Sequence, residues 1–251
     1  MTIARDWNGA DYDRLSTPME AMGLAVLDRL PLSGDETVID AGCGSGRVTQ
    51  ALLDRLPRGR VIGVDGSPSM IAAAERRLGD DPRVALLVAD LTELGVPPVD
   101  AILSTATFHW IGDHALLFSR LHAALRPGGR LVAQCGGEGN IAAVHAAARA
   151  VGAQEPYAPY LAAWAGPWRF AAPDDTERLL RAAGFAEARA WLEDRPVTPE
   201  DPQAYLREIN LGAHLEQLPD DLREGFVTAV RERLDPPGTI GYVRLNIDAR
   251  A

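Results

Sequence analysis

The stretch Val38-Ile39-Asp40-Ala41-Gly42-Cys43-Gly44-Ser45-Gly46 decides the fold of this chain. An apolar run ends in an acid, and three glycines follow at alternate positions. Because glycine has no Cβ, this loop can turn sharply and let a ligand lie against the main chain. A helical pattern comes next, so free N–H groups at the start of that helix should face the same space. The order strand, glycine loop, helix predicts a nucleotide-type cofactor site at the carboxyl edge of a parallel sheet.

The acids around the glycine loop indicate which cofactor binds. The spacing is G-x-G-x-G, with Arg47 after Gly46, and it differs from the dinucleotide fingerprint G-x-G-x-x-G. Asp40 would repel a pyrophosphate but attract a cation, and S-adenosylmethionine (SAM) carries an ammonium, a sulfonium and no phosphate. Asp65 ends a second apolar run 19 residues past Gly46, where a carboxylate can accept hydrogen bonds from both ribose hydroxyls. Asp90 ends a third run and suits the adenine amino group. These residues favour SAM over the alternative, a nucleotide-dependent dehydrogenase.

Four motifs, in order between residues 38 and 131, resemble the class I SAM-dependent methyltransferases. They are the glycine loop, Val64-Asp65-Gly66-Ser67-Pro68-Ser69-Met70, Ala89-Asp90-Leu91 and Leu125-Arg126-Pro127-Gly128-Gly129-Arg130-Leu131. The resemblance implies a Rossmann-like, doubly wound α/β fold with a seven-stranded, mostly parallel sheet. It also implies SAM as the cofactor and S-adenosylhomocysteine (SAH) as the product.

The resemblance implies roles for individual residues as well. The three glycines would let the methionine part of SAM approach the main chain, with Asp40 at its amino end. Met70 either packs against adenine or belongs to the core stripe of its helix. The cofactor-binding residues predicted in this way are Tyr12, Asp40, Gly42, Gly44, Gly46, Asp65, Gly66, Ser67, Met70, Asp90, Leu91 and Ser104.

Three further segments resemble the trans-aconitate methyltransferase-like group of that family. They are Asp6-Trp7-Asn8 with Tyr12, Ser104-Thr105-Ala106-Thr107-Phe108-His109-Trp110-Ile111-Gly112-Asp113-His114, and Gly241-Tyr242-Val243-Arg244-Leu245-Asn246-Ile247. The resemblance implies an N-terminal lid in which Trp7 and Tyr12 close over SAM. The chain departs from the group at His109, where that group has Gln.

The acceptor atom decides which residues the chemistry needs. A carboxylate is ionised at pH 7 and needs no base, whereas an amine or a phenol must lose a proton. His109 is the candidate catalytic base, because an unperturbed imidazole titrates near pH ~6.5; alternatively it is a hydrogen-bonded wall of the pocket. Arg149, Arg169 and Arg207 are candidate ligands for an anionic substrate, and each could equally be solvated.

Helical patterns interrupt the alternation of strands and helices twice, after the fifth and sixth strands. We interpret both interruptions as one helical cap over the cofactor edge, with Tyr157, Tyr160, Trp164 and Trp168 lining a pocket for a small molecule. The predicted parts are residues 1–35 (N-terminal lid and helix), 36–136 (SAM-binding core), 137–172 (cap), 173–195 (core), 196–237 (cap) and 238–251 (last core strand).

Composition limits the class of substrate. The chain has 251 residues and a formal net charge of −10, and its 25 basic residues are all arginine, which argues against nucleic acid as a partner and excludes a Schiff-base or P-loop lysine. The lack of a long apolar run argues against a membrane partner. Cys43 and Cys135 make no disulfide framework, so we expect a cytoplasmic protein, and no Cys/His cluster has zinc spacing.

We therefore predict a SAM-dependent methyltransferase that methylates a small-molecule acceptor, with oxygen, as in a carboxylate, the favoured atom. The alternatives are an N- or C-methyltransferase of a metabolite or natural product, and a SAM- or SAH-binding protein of this fold that transfers no methyl group.

Overall fold

Seven strands form one sheet in the computed structural model of the chain, which describes residues 17–234 and 238–251. Their order across the sheet is β3-β2-β1-β4-β5-β7-β6. Strand β7 runs antiparallel to β5 and β6, and the other neighbouring strands are parallel. The strands are β1 (Thr37–Ala41), β2 (Arg60–Asp65), β3 (Val84–Val88), β4 (Val99–Thr105), β5 (Leu125–Gly136), β6 (Glu187–Asp194) and β7 (Val243–Arg250). The predicted seven-stranded, mostly parallel α/β fold is confirmed.

Helices connect these strands as the alternating pattern predicts. In the part of the chain that the structure describes they are α1 (Thr17–Leu27), α2 (Arg47–Asp54), α3 (Pro68–Leu78), α4 (His114–Ala123), α5 (Ala142–Gly152), α6 (Ala158–Leu161), α7 (Pro173–Ala182), α8 (Pro202–Tyr205), α9 (Gly212–Leu215) and α10 (Asp220–Glu232). Short 3-10 helices span Leu91–Glu93 and Phe108–Trp110, and a π-helical turn spans Leu206–Asn210.

Two predicted helix starts are confirmed by their capping bonds. The hydroxyl of Ser67 accepts from Met70 N, and Pro68 occupies the first position of α3, where its missing N–H is harmless. The carboxylate of Asp113 accepts from Leu116 N at the start of α4. Each side chain satisfies an N–H that has no partner within its own helix.

Two strand boundaries differ from the sequence prediction. The third strand was expected to end in Asp90, but β3 ends at Val88, because the Asp90 carboxylate accepts from Thr92 N and begins a 3-10 turn. The fifth strand was expected to start at Arg130 after a tight turn. Instead β5 begins at Leu125, and its pairing with β4 is irregular between Val99 and Ala101.

Apolar clusters cover both faces of the sheet. Ile39 belongs to a cluster that includes residues of α4 and α7, and Val38 belongs to another that includes residues of α1 and α2. Neighbouring strand residues point to opposite faces, which explains this division. The sheet is thus buried on both sides, as parallel sheets require.

A third apolar cluster joins the two predicted cap segments. It contains Val144 and Val151 from α5, Leu206 and Leu211 from the second segment, and Phe226 from α10. Helices α5 and α10 therefore share one core, and the prediction that this core forms a lid over the cofactor stays a prediction.

Some of the sequence predictions lie outside the described residues. Trp7 and Tyr12, with the predicted N-terminal lid, belong to this group. No helix within residues 17–234 and 238–251 combines the length and the apolar character needed to cross a bilayer.

Candidate active site

The glycine loop follows β1 and is tied to the end of β2. Gly42 N and Cys43 N both donate to Val64 O, at 2.7 and 3.0 Å. Gly42 has φ 83°, and a Cβ placed on it would lie 2.0 Å from Thr107 Oγ1. Gly44 has φ 54°, but a Cβ there would meet no heavy atom within 4 Å. Gly42 thus packs against the β4 end, whereas Gly44 borders open space where a ligand can lie against the main chain.

Asp65 holds this loop at the carboxyl end of β2. Its Oδ2 accepts from Gly44 N and its Oδ1 from Ser67 N, each at 2.9 Å. Burial raises the pKa of Asp65, and these two bonds oppose the increase. Each carboxylate oxygen has a second lone pair, so hydroxyl donors of a ligand can still bind.

Asp40 is buried behind the loop, with 1% of its surface exposed. Its Oδ2 accepts from Thr49 Oγ1 at 2.6 Å, while its Oδ1 is buried without a hydrogen-bond partner. Burial is the main cause that raises the pKa of Asp40 to about 6, and the nearby charge of Asp65 adds to it. A buried, partly satisfied carboxylate is costly, and a cationic ligand group would relieve that cost.

The residues predicted beside the ribose, Gly66 and Ser67, and around adenine, Met70, Asp90 and Leu91, follow the ends of β2 and β3. Ser67 and Met70 are buried, with 1% and 4% of their surfaces exposed, and Gly66 is partly exposed beside them. Asp90 is exposed, and its Oδ1 accepts from Thr92 N and Thr92 Oγ1. Leu91 is buried in the core cluster next to α4. Contacts of these residues with the ribose and with adenine stay predictions.

Strained backbone follows the end of β4. Ala106 has φ 56°, a left-handed conformation that is uncommon outside glycine, and its N–H donates to Gln134 O at 2.7 Å. Ser104 is buried, and its hydroxyl donates to Ala41 O at 2.6 Å. Ser104 therefore joins β4 to β1 beneath the glycine loop, and its predicted contact with the cofactor stays a prediction.

His109 lies in the 3-10 helix after β4 and is 8% exposed. Its Nδ1 accepts from Gly136 N at 3.3 Å, and its ring stacks on Phe170 with centroids 5.8 Å apart. Burial lowers the pKa of His109 well below its usual value, and the charge of Arg244 lowers it further. The ring is therefore neutral, and because Nδ1 accepts a hydrogen bond, Nε2 carries the proton. These contacts favour the interpretation of His109 as a pocket wall.

None of the three arginines predicted to bind an anionic substrate, Arg149, Arg169 and Arg207, is buried. Arg149 is exposed, and Arg207 forms ion pairs with Glu208 and Glu224. Arg169 donates to Gly112 O at 2.7 Å. Among the residues that the structure describes, Arg244 on β7 is the only buried arginine, with 3% of its surface exposed.

Sequence reasoning missed Arg244 because alternating polar residues in a strand usually form a solvated face. The signal was present in Arg244-Leu245-Asn246, whose polar members both turn out to be buried. Only the tertiary structure shows that this face is covered: Arg29, in the turn after α1, donates to Oδ1 of Asn246.

The aromatic residues predicted to line a pocket are arranged in two ways. Trp164 and Trp168 pack around His214, at centroid distances of 4.8 and 5.3 Å, and Trp168 also contacts His145. Tyr157 packs on Phe226 in the cap core, and Tyr160 is 44% exposed. Tyr160 is therefore more exposed than the other three aromatic residues, and its place in a pocket stays a prediction.

The residues present fit SAM. Asp40 has an unpartnered buried oxygen for a cation, Asp65 has lone pairs for hydroxyl groups, and open space lies next to Gly44. No group of His, Cys, Asp or Glu in the described ranges has the arrangement of a metal site. A mostly parallel sheet with this acid-flanked loop at its carboxyl edge defines a Rossmann-like methyltransferase.

Comparison with known proteins gives the same class. Residues 38–129 match the family model described as a methyltransferase domain. A trans-aconitate 2-methyltransferase of Methylobacterium radiotolerans is 34% identical over 94% of this chain and 93% of its own length. One of Variovorax paradoxus is 31% identical over 92% of this chain and 89% of its own. The chain belongs to the class I SAM-dependent methyltransferases.

Solved structures agree at the level of the fold. Phosphoethanolamine N-methyltransferase 2 of Haemonchus contortus, in complex with SAM, superimposes with a TM-score of 0.63 at 21% identity. The match covers 99% of this chain and 58% of that longer chain. The [4+2]-cyclase SpnF superimposes with a TM-score of 0.59 at 20% identity, covering 92% of this chain and 83% of that one. The protein is an enzyme that uses SAM as its cofactor.

Proposed function

We propose that the enzyme transfers the methyl group of SAM to a carboxylate oxygen of a small organic acid. The observation that carries this proposal is the state of His109: its ring is neutral, its Nδ1 accepts from Gly136 N, and its Nε2 is a donor. Such a ring does not remove a proton from an amine or a phenol. A carboxylate needs no proton removed, because it is ionised at pH 7.

The relatives support the same acceptor class. Those of Methylobacterium radiotolerans and Variovorax paradoxus are trans-aconitate 2-methyltransferases, and both align over nearly their whole length. They support the proposal that the acceptor is a small molecule, and they give no indication of a nucleic-acid or membrane partner.

The chain's own residues bind and orient the reactants. We expect Asp40 to bind the ammonium of SAM and Asp65 the ribose hydroxyls, with Gly66 and Ser67 beside the ribose. Met70, Asp90 and Leu91 would lie around adenine. The methionine part would lie against Gly42, Gly44 and Gly46, with Ser104 where SAM and the acceptor meet and Tyr12 in the lid. When bound, SAM supplies an activated methyl group: the carboxylate oxygen forms the new C–O bond with its own lone pair, and the electrons of the broken S–C bond stay on sulfur, leaving SAH. No proton moves, so alignment of the two reactants supplies most of the rate.

The test uses SAM with an isotopically labelled methyl group and a panel of acceptors. The panel contains trans-aconitate, simpler acids, a phenol and an amine of similar size. We expect label in a methyl ester that mild alkali hydrolyses to methanol, and a rate that stays flat above pH ~6. Label in an alkali-stable N- or C-methyl product, with a rate that rises through a single pKa, would contradict the proposal. Binding of SAM without transfer to any acceptor would point to a non-methylating member of this fold.

A further inference from the structure

A buried asparagine lies in the turn that follows β5. Asn140 has 4% of its surface exposed, and it shortly precedes α5, the first helix of the cap. Its N–H donates to Gly137 O at 2.9 Å, and its Oδ1 accepts from Val243 N at 3.1 Å. Because a main-chain N–H can only donate, this bond fixes which end of the side-chain amide is the oxygen. The amide nitrogen, Nδ2, therefore points away from Val243.

Nδ2 of Asn140 lies over Gly136, at the carboxyl end of β5. A Cβ placed on Gly136 would be 2.7 Å from this nitrogen and 2.7 Å from Cε1 of Phe170, so only glycine leaves room for both side chains. Gly136 N donates to Nδ1 of His109, whose ring stacks on Phe170. Asn140 and His109 therefore share two neighbours, Gly136 and Phe170.

Two N–H donors in this region are not engaged by the described part of the chain. Nδ2 of Asn140 makes no hydrogen bond within residues 17–234 and 238–251, and neither does Nε2 of His109. The same residues do not enclose either nitrogen, in contrast to Nε2 of His145, which is buried without a partner. A ligand can therefore reach both donors, and its matching group is one that only accepts hydrogen bonds, such as a carboxylate.

The backbone beside Asn140 is strained. Ile141 has φ 46°, a left-handed conformation that is an outlier for a β-branched residue. Its N–H donates to Gly241 O at 3.0 Å, which ties the turn to the chain just before β7. Strain of this kind persists only where the surrounding structure holds it, and it is concentrated at functional sites. Here it accompanies an asparagine whose amide nitrogen is turned towards Gly136.

The two donors lie at the edge of the sheet where an acceptor must bind. His109 follows β4 and Asn140 follows β5, and these neighbouring strands are parallel, so their carboxyl ends meet at one edge. The glycine loop follows β1, which pairs with β4 on its other side. A ligand next to the glycine loop can therefore extend across the end of β4 to both donors.

We propose that Asn140 is an acceptor-binding residue, and that its Nδ2 donates, together with Nε2 of His109, to the carboxylate that is methylated. The donors bind the oxygen that does not attack and leave the other oxygen free to form the new C–O bond. Because both donors are neutral, they weaken the nucleophile less than an ion pair would, while they hold it in one orientation. This inference rests on the proposed carboxylate methylation.

The substitution Asn140→Asp exchanges the donor for an acceptor with little change in shape. One oxygen can still accept from Val243 N, whereas the ionised side chain repels a carboxylate. We expect kcat/KM for the best acid of the panel to fall about 100-fold at pH 8. The loss should lie chiefly in KM, because the acceptor loses its charge as the C–O bond forms.

The pH dependence of this variant distinguishes a donor from a structural residue. Burial raises the pKa of a carboxyl group, and a protonated carboxyl group can donate. The ratio of variant to wild-type kcat/KM should therefore rise about tenfold when the pH is lowered from 8 to 5.5. Titration of the acid substrate itself cancels in this ratio.

A neutral variant and a matched control accompany it. Asn140→Ser removes the donor without adding a charge, and it should lose about tenfold in kcat/KM with no such pH dependence. Glu138→Gln is the control, since Glu138 is an exposed residue in the same turn, and its kinetics should equal those of the wild type. Unchanged SAM affinity and unfolding temperature show that each variant is folded.

A measurement on the wild-type enzyme is independent of the variants. Asn140 is one of four asparagines, so isotopic nitrogen labelling of asparagine gives four pairs of side-chain NH2 signals in an NMR spectrum. Contacts with ring protons of Phe170 assign the pair of Asn140. With SAH bound, so that no transfer occurs, the best acid of the panel should shift this pair downfield.

The outcomes separate the two proposals. NH2 signals of Asn140 that do not move with the acid, or wild-type kcat/KM in folded Asn140→Asp, overturn the role of Asn140 and leave carboxylate methylation intact. A loss in Asn140→Asp that is equal at pH 5.5 and pH 8 has the same meaning, because it assigns Asn140 to the structure alone. Failure to methylate any acid while SAM binds overturns both proposals.

Discussion

Gly44 N donates to Oδ2 of Asp65 over 2.9 Å, which joins the loop after β1 to the end of β2. The second carboxylate oxygen accepts from Ser67 N, so two main-chain donors hold the acid in one orientation. The acid that we expect to bind the ribose therefore also shapes the loop that we expect to bind the methionine part of SAM. Substitution of Asp65 should therefore disturb both the ribose contact and the shape of the glycine loop.

Asp65→Ala should weaken SAM binding by about 10- to 100-fold, because hydrogen bonds to an ionised carboxylate are lost in the complex. Isothermal titration calorimetry measures this directly. Asp80→Ala provides a control, since Asp80 is an exposed acid shortly after α3. Equal affinities for the wild type and a folded Asp65→Ala variant would refute the assignment.

Gly42→Ala and Gly44→Ala should separate stability from binding. The new methyl group at Gly42 would overlap Thr107 at a φ of 83°, and we expect a loss of about 3 kcal/mol in the free energy of unfolding. At Gly44 the methyl group meets nothing within 4 Å, so only the backbone cost of about 1 kcal/mol applies.

The Gly44 methyl group would, however, project into the space that we assign to SAM. We therefore expect Gly44→Ala to lose affinity for SAM in calorimetry while it keeps most of its resistance to urea. A Gly44→Ala variant with full affinity would mean that the cofactor does not lie against this loop.

Asp40→Asn should stabilise the ligand-free enzyme at pH 7.5. Folding raises the pKa of Asp40 from 3.8 to about 6, so in that window the folded state binds more protons than the unfolded state. Stability therefore falls as the pH rises through the window. The uncharged amide of Asn avoids the cost of burying an ionised carboxylate, which is on the order of 3 kcal/mol. Its buried nitrogen lacks a hydrogen-bond partner and offsets part of that gain, so we expect the free energy of unfolding to rise by about 1–2 kcal/mol.

Urea unfolding at several pH values checks this prediction. Below pH ~3 the wild-type carboxyl is protonated in both states, so the avoided cost disappears and Asp40→Asn should become the less stable protein by about 1–2 kcal/mol, the cost of its buried amide nitrogen. SAM should bind Asp40→Asn more weakly, because its ammonium loses an anionic partner. A variant that is less stable at pH 7.5, or one that binds SAM equally well, contradicts the role given to Asp40.

His109→Gln should keep at least about a tenth of the wild-type kcat, because a glutamine can accept from Gly136 N and donate as well. His109→Phe should lose more of kcat/KM, chiefly through a higher KM, since phenylalanine can neither accept from Gly136 N nor donate a hydrogen bond. Steady-state kinetics from pH 6 to 9 distinguishes this role from base catalysis. A drop of about 100-fold or more in kcat for His109→Gln, with a changed pH profile, would identify His109 as the base.

Local patterns predicted much of this structure. The glycine loop, the acids Asp40 and Asp65, and the caps at Ser67 and Asp113 are short-range features, and their chemistry depends on neighbours within a few residues. The predicted end of the third strand lies two residues too late, because the Asp90 carboxylate accepts from Thr92 N and starts a 3-10 turn instead of continuing the strand. The spacing of apolar residues does not reveal where a side chain hydrogen-bonds to a neighbouring backbone N–H and so ends a strand.

By itself the amino-acid sequence determined the alternation of strands and helices, the cofactor class and the positions of Asp40 and Asp65 in β1 and β2, because each depends on contiguous residues and on charge. Only the tertiary structure decided that Arg244 is a buried cation next to His109 and that His109 accepts from Gly136. These groups come from β7, β5 and the turn after β4, and nothing local in the chain indicates that they meet. Their protonation and charge depend on burial, which is set by the packing of the whole sheet and cap.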